Sequence, residues 1–395
     1  MSVSRLENDQ SDYSEAIEWR HDFHAHPELA YQEHRTSDLV AKRLTSFGLD
    51  IETGIGGTGV VATLRGRLGD GPTVGLRTEL DALPILENSG VSYISTNKGC
   101  MHACGHDGHA AIMLETARRL AAAPDFAGTV HFIFQPAEEN GGGAKAMLDD
   151  GFMDRFPCDS FWALHNWPGL PVGTIAARAG EMTAACDNFD IVVDGFGGHA
   201  GLPHLSIDPI AAASQFITNL YGQLARRVNA VEGGLCSVTR FDSGSAYNVV
   251  PNQARLAGTV RALYEPARAL IEDTLKSQAK ATEIATGTKF NVDYEVCYPI
   301  SYNDADATDI ALECARTLVG DDHVVAGIAP TMGTEDFAYF LQERPGCLVL
   351  FGQGEGEAPA KLHTPEYDFN DRLIPVAVQY WLTLVDRLLG SKNDQ

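Results

Sequence analysis

Residues 101–109 read MHACGHDGH, which puts three histidines, one cysteine and one aspartate within nine positions. Three readings compete for such a cluster: a metal site, a nucleophilic cysteine, or a polar loop without chemistry. Cys104 and His106 form a Cys-x-His pair, and Gly105 between them lets the backbone turn so that both side chains converge. Thiolate and imidazole suit zinc and similar divalent ions. A nucleophilic cysteine would instead need a paired base and an oxyanion site. The pair alone does not decide, and the wider chain supports a metal better.

Glu138 and Glu139 lie in QPAEENGGGA, directly after the strand-like run VHFIFQ. Adjacent carboxylates can divide the work, one binding a metal while its neighbour holds a proton near an activated water. His165 in ALHNWP ends another apolar run, and His363 in KLHTPEYDFN follows LVLFGQG and a glycine-rich loop. Cys104, His106, Glu139, His165 and His363 are thus all expected in loops that follow strands. In an open α/β sheet such loops share one edge, where sites form. Five donors exceed what one tetrahedral ion takes, and they suit two ions about 3.5–4 Å apart.

The elements that must position these side chains follow from periodicity. Residues 13–48 read as helical, with Gly48 as a stop. GVVATLRG (59–66), TVGLRTEL (73–80), GTVHFIFQ (128–135) and DSFWALHNWP (159–168) read as strands, and HAAIMLETARRLAAA (109–123) as a helix. The alternation predicts an α/β sheet with helices packed on it. From about residue 184 the pattern becomes β-α-β-β-α-β, the order of a small ferredoxin-like α+β domain. After Pro299 the chain returns to helix, strand and helix. The expectation is one α/β domain, residues 1–183 and 298–395, interrupted by an inserted lid at 184–297.

Composition narrows the function. At 395 residues, 44% hydrophobic and 21% charged, the chain is ordinary globular protein long enough for two domains. A net charge of −24 disfavours nucleic acid and anionic membranes as partners. No apolar run approaches the roughly 18 residues of a membrane span. The N-terminal stretch MSVSRLENDQSDYSEAIEWR has no apolar secretion core, so a cytoplasmic protein is expected. Eight scattered cysteines show neither disulfide-framework nor zinc-ribbon spacing. GIGGTG (54–59) matches the dinucleotide fingerprint, with Glu79 about twenty positions on. That fingerprint needs a helix after the glycines to hold pyrophosphate, and VVATLRG reads as strand, so the segment is a glycine turn.

Nine ordered motifs carry a resemblance: RTELDALP (77–84), MHACGHDGHAA (101–111), QPAEENGGGA (135–144), LHNWP (164–168), GGHAGLPH (197–204), NVVP (248–251), GTVR (258–261), MGTEDF (332–337) and HTPEYDFN (363–370). From about residue 19 to 389 the chain resembles the metal-dependent amidohydrolases typified by hippurate hydrolase and the indole-acetyl-amino-acid hydrolases. These are related to the aminoacylases and carboxypeptidase-G-like peptidases. The resemblance implies a zinc-peptidase-like catalytic domain with a lid that also forms a homodimer contact. It implies two divalent ions, Zn, Mn, Co or Ni, held by Cys104, His106, Glu139, His165 and His363, with Glu138 as general base. It implies His199 as an oxyanion donor able to reach a partner's site, and Asn248 and Arg261 as contacts to the substrate carboxylate. His24 and His26 fall in a matching stretch and read as structural.

One departure stands out. The family usually has Arg-Ala-Asp-Met-Asp where this chain has Arg77-Thr78-Glu79-Leu80-Asp81. Asp81 is expected to orient a ligand without touching the metal. Glu79, one methylene longer than the usual aspartate, is expected to bear on metal choice, occupancy or substrate fit. The reaction implied is hydrolysis of an N-acyl amino acid, hippurate-like, N-acetyl or aryl-acetyl, to a carboxylic acid and a free amino acid. The rival readings are a dipeptidase or aminopeptidase using the same metals, and a catalytically silent metal-binding homologue.

Overall fold

Apolar runs that read as strands on both faces demand cover on both faces, and the structure supplies it. The computed structural model describes residues 10–139, 141–354 and 361–390. Residues 1–9, which open the acidic N-terminal stretch, lie outside the described residues. Contacts divide the chain into two compact units. One comprises 1–180, 302–329 and 335–395, and the other 181–301 with 330–334. The short segment 330–334 groups with the second unit.

The first unit is built on an eight-stranded mixed sheet. Its order is Asp50–Ile55, Gly59–Arg65, Thr129–Gln135, Thr73–Glu79, Ser160–Pro168, Gly346–Gly354, Ile175–Ala177 and Val324–Ala326. Four central strands, Thr129–Gln135, Thr73–Glu79, Ser160–Pro168 and Gly346–Gly354, run parallel. Thr129–Gln135 and Gly346–Gly354 are buried along almost their whole length, as parallel strands covered by helices must be. Helix His106–Ala122 packs against helices Ser14–Ala25 and Leu373–Leu389 over a core that includes Trp162, Phe132 and Trp381.

The expected helix over 13–48 is two helices, Ser14–Ala25 and His34–Ser46. Pro27 explains the break: it lacks an N–H and drives the preceding residue out of helical conformation, and His26 sits at φ −131°. GIGGTG is the turn of an antiparallel hairpin between Asp50–Ile55 and Gly59–Arg65, with no helix after the glycines.

The second unit carries a four-stranded antiparallel sheet ordered Gly234–Ser243, Gln253–Ala262, Ala185–Asp194, Lys289–Tyr298. Numbered along the chain this is 2-3-1-4, the ferredoxin-like arrangement. Helices Pro209–Arg227 and Glu265–Thr286 pack on one face through Phe189, Ile191, Phe216, Leu220, Leu256 and Ile271. Asp208 caps the first helix by accepting from Ile210 and Ala211 N–H, and Pro209 follows at the first helical position. Among the described residues no helix is long and apolar enough to cross a membrane.

Candidate metal centre

Because the four central strands are parallel, the segments that leave their C-terminal ends share one edge of the sheet. There the structure brings all five expected donors together. Cys104, His106 and His165 each offer one donor atom, and these lie within 4.8 Å of one another. Cys104, Glu139 and His363 do the same, so the thiol belongs to both groups. His363 Nε2 lies 3.3 Å from Cys104 Sγ and 3.2 Å from Glu139 Oε1, and His165 Nε2 lies 3.5 Å from the thiol. Two donors sit on regular structure where loops were expected: His106 opens helix His106–Ala122, and His165 lies inside strand Ser160–Pro168.

Both imidazoles have their proton placed by a neighbour. His106 Nδ1 donates to the Asp81 carbonyl at 2.9 Å, with Asp81 Oδ1 at 3.2 Å, and His165 Nδ1 donates to the Asn166 carbonyl at 2.7 Å. A proton fixed on Nδ1 leaves the Nε2 lone pair for an ion. His106 Nε2 is buried and has no hydrogen-bond partner among the described residues. Burial, reinforced by His109, pushes His165 down to about 3. At His106 burial is outweighed by the Asp81 hydrogen bond and by Glu79, Asp81 and Glu139, so its pKa rises to about 10. Burial, then Glu139 and Glu138, push the Cys104 thiol well above its usual range. The orphaned Nε2, the converging donors and the surrounding buried carboxylates all favour positive charge at this point, and the soft and hard donors present fit divalent ions.

The Glu138–Glu139 loop is strapped into place. Ala137 adopts φ 53° and His363 φ 64°, left-handed conformations that cost a non-glycine residue about 1–3 kcal/mol and persist only where the surroundings impose them. Glu33 Oε1 accepts the Ala137 N–H at 2.9 Å while its other oxygen accepts the Thr58 hydroxyl at 2.6 Å. Asp81 Oδ2 accepts the Glu139 N–H at 2.9 Å, and the His363 N–H donates to the Ala103 carbonyl at 2.8 Å. Glu138 is buried beside Glu335, Glu139 and Asp336. Burial and these carboxylates raise its pKa well above the usual range, against the pull of Arg77. A carboxyl with a raised pKa is suited to taking a proton and returning it.

Arg77, fully buried, pairs with Glu79, with Glu335 at 2.9 Å and with Asp336 at 2.8 Å. The sequence reading assigned no role to Arg77, Glu335 or Asp336. The signal was present in RTELDALP, because an arginine inside a buried strand needs carboxylate partners. Glu33 carried no such signal.

Behind the first turn of helix His106–Ala122 lies a second charged cluster. Arg20 Nε donates to Asp107 at 3.0 Å, and His24 bonds Asp107 at 2.8 Å and Glu87 at 2.9 Å. His24 is therefore structural, as read, and His26 bonds the Asp22 carbonyl at 2.8 Å on its own helix. Burial lowers the His24 pKa, but the hydrogen bonds to Asp107 and Glu87 prevail and raise it from 6.5 to about 9. The folded state thus holds a proton that the unfolded chain releases above pH 6.5. This stabilisation is complete below pH 6.5 and is lost as pH rises through 9. The expected loss is about 3 kcal/mol at 1.36 kcal/mol per unit. Denaturant titrations from pH 6 to 10 should show it in the native protein, and His24→Gln should flatten the slope; an unchanged slope in the variant would refute the assignment.

The remaining predicted residues lie in the second unit. His199 is exposed on the short strand Gly198–His199, and its Nδ1 accepts the Gly201 N–H at 3.0 Å, which places its own proton on Nε2. Asn248 is exposed in the turn just before strand Val249–Val250, which pairs with Gly198–His199, and its carbonyl accepts the Ala200 N–H at 3.0 Å. Arg261 is on strand Gln253–Ala262, where it donates to Cys186 Sγ at 2.6 Å.

A thiol, three imidazoles and paired carboxylates gathered at the edge of such a sheet make a donor set suited to divalent ions, as in a metal-dependent hydrolase. The chain belongs to the peptidase family M20/M25/M40, whose family model matches residues 75–387. It is 36% identical to the N-acetylcysteine deacetylase of Bacillus subtilis, across 95% of this chain and 97% of that protein. It is also 36% identical to the hippurate hydrolase of Campylobacter jejuni, across 94% and 95%. Its structure is similar to that of the Bacillus subtilis YXEP protein, described as a dinuclear metal binding peptidase of the M20 family. The TM-score is 0.81 at 34% identity, covering 95% of this chain and 98% of that one.

Proposed function

We propose that the protein hydrolyses the amide bond of N-acyl amino acids, releasing a carboxylic acid and a free amino acid. The observation that carries this is the placement of buried Glu138 beside two donor groups joined at Cys104. Cys104, His106 and His165 would hold one divalent ion, and Cys104, Glu139 and His363 the other, with Zn, Mn, Co or Ni as candidates. Bound ions would supply Lewis acidity and a lowered pKa for water. Glu138 takes the proton of the attacking water as its oxygen bonds to the amide carbon, then gives that proton to the nitrogen as the C–N bond breaks. His199, with its proton on Nε2, donates to the developing oxyanion. Arg261 offers a guanidinium fork, and Asn248 an amide, to the substrate carboxylate. The named activities of the two relatives above, on hippurate and on N-acetylcysteine, support this substrate class.

The same reading makes the protein a homodimer through its second unit and places it in the cytoplasm. Cysteines that form no disulfide among the described residues fit a reducing compartment. The test is a hydrolysis panel of N-benzoyl, N-acetyl and indole-acetyl amino acids alongside dipeptides, with Zn2+, Mn2+, Co2+ and Ni2+ each supplied in turn. Turnover of N-acyl amino acids is expected. Cleavage of dipeptides alone would move the function to the peptidase reading, and no turnover in a metal-loaded protein would refute the enzyme assignment.

A further inference from the structure

Glu79 ends strand Thr73–Glu79 and is fully buried, and its two carboxylate oxygens face different partners. One accepts from Arg77, two positions back on the same face of the strand. The other accepts the Nδ1–H of His109, in the first turn of helix His106–Ala122, at 2.8 Å. His109 Nε2 in turn donates to the Asn166 side-chain oxygen Oδ1 at 2.8 Å, and the Asn166 backbone nitrogen lies 3.1 Å from the same ring nitrogen. The Asn166 carbonyl in turn accepts the Nδ1–H of His165. Asn166 also donates to the Tyr367 hydroxyl at 2.7 Å. It packs so tightly under the loop of Cys104 that a Cβ on Gly105 would come 2.4 Å from its Oδ1.

We propose that Glu79 is a positioning residue for the ion held by Cys104, His106 and His165: acting through His109 and Asn166, it fixes the backbone that presents His165, and its length is what lets it do so. The proposal rests on the metal reading of the preceding subsection. Arg77 keeps Glu335 and Asp336 as partners without Glu79, so its charge stays matched. The Nδ1–H of His109 is directed at Glu79. From a strand whose backbone is fixed by two parallel neighbours, a carboxylate one methylene shorter cannot span both Arg77 and His109. Donor atoms of Glu79, His106 and His109 also lie within 4.8 Å of one another. Yet both Glu79 oxygens and both His109 nitrogens are already engaged in the chain just described, which favours action through hydrogen bonds over direct ligation.

Length and charge are separated by two variants of the full chain, Glu79→Asp and Glu79→Gln. Each is stripped with chelator and titrated with Co2+ against a chromophoric competitor. The visible thiolate-to-cobalt absorption and the unfolding midpoint are recorded alongside. Glu79→Gln keeps the reach and is expected to bind two Co2+ per chain as the native protein does. Glu79→Asp is expected to bind one of the two about 10–100-fold more weakly, the usual cost of losing an outer partner of a ligand, with altered thiolate absorption. A Glu79→Asp protein indistinguishable from native overturns the proposal. So does a Glu79→Gln protein that binds more weakly than Glu79→Asp, since that order is what charge balance or direct ligation requires. His109→Asn gives an independent reading: its amide nitrogen can stand in for Nδ1 towards Glu79 but does not reach Asn166. The same loss of one ion is expected, and native-like retention overturns the proposal. A native protein that takes up no Co2+ overturns the metal reading itself and this proposal with it, whereas two ions in native and Glu79→Asp proteins alike defeat this proposal alone.

Discussion

Glu138→Gln is expected to keep its metal and lose its turnover. The substitution preserves shape and hydrogen-bonding capacity but removes the carboxylate proposed to take a proton from water and return it to a leaving nitrogen. General acid–base groups contribute about 10²–10⁴-fold, so a loss of about 10³-fold in kcat on an N-acyl amino acid is expected, with KM little changed. Stability should not fall. Burial raises the Glu138 pKa, and repulsion from the nearby Glu335, Glu139 and Asp336 raises it further. A neutral amide relieves that repulsion, so the unfolding midpoint should hold steady or rise. Kinetics, metal analysis and thermal unfolding of one preparation check all three expectations. A variant within about tenfold of native kcat would remove Glu138 from the role of base. A variant that lost its metal would make Glu138 a ligand, which its place in the group with His106 and Glu139 makes a real alternative.

The donors were readable in the sequence because their chemistry is local. Cys104 and His106 suggest themselves by type and spacing without deciding the matter, and Glu138, Glu139, His165 and His363 do so by following apolar runs that read as buried strands. Strand direction then does the rest, since parallel strands deliver their C-terminal ends to one edge. The groups that hold the donors were harder to read. Arg77 meets Glu335 across 258 positions, and Glu33 reaches Ala137 across 104. No periodicity links residues so far apart. The strain at Ala137 and His363 is equally silent, because neither residue type signals a left-handed backbone. Of the stretch read as helical over 13–48, the missed element was its interruption at Pro27, which ends helix Ser14–Ala25 before His34–Ser46 begins. Glu79 lies between these cases. Its extra methylene was visible as a departure, while its partner, His109, was in view only as one histidine of the MHACGHDGH cluster.

Cys104→Ala is expected to empty the site of both ions, where loss of His165 or His363 would weaken one. The reason is geometric. Cys104 belongs to the group with His106 and His165 and also to the group with Glu139 and His363, so in the proposed two-ion site a thiolate there would serve both ions. Removing it leaves each group two donors, fewer than a divalent ion needs for tight retention. The expected fall in affinity exceeds the roughly 10–100-fold that follows loss of an outer partner, and dialysed protein should carry well under one ion per chain. The thiol's pKa is raised well above its ordinary value by burial and then by Glu139 and Glu138. Metal uptake must therefore expel its proton, and native protein should release protons on loading while Cys104→Ala should not. Cys104→Asp supplies a harder oxygen donor, one bond further from Cβ, with two oxygens that could serve both ions. It should recover part of the binding, with preference shifted from Zn2+ towards Mn2+. Elemental analysis and calorimetry in buffers of different ionisation enthalpy measure these outcomes. A Cys104→Ala protein that keeps two ions would show that the thiol is a bystander, and the site would then have to be rebuilt around His106, Glu138 and Glu139.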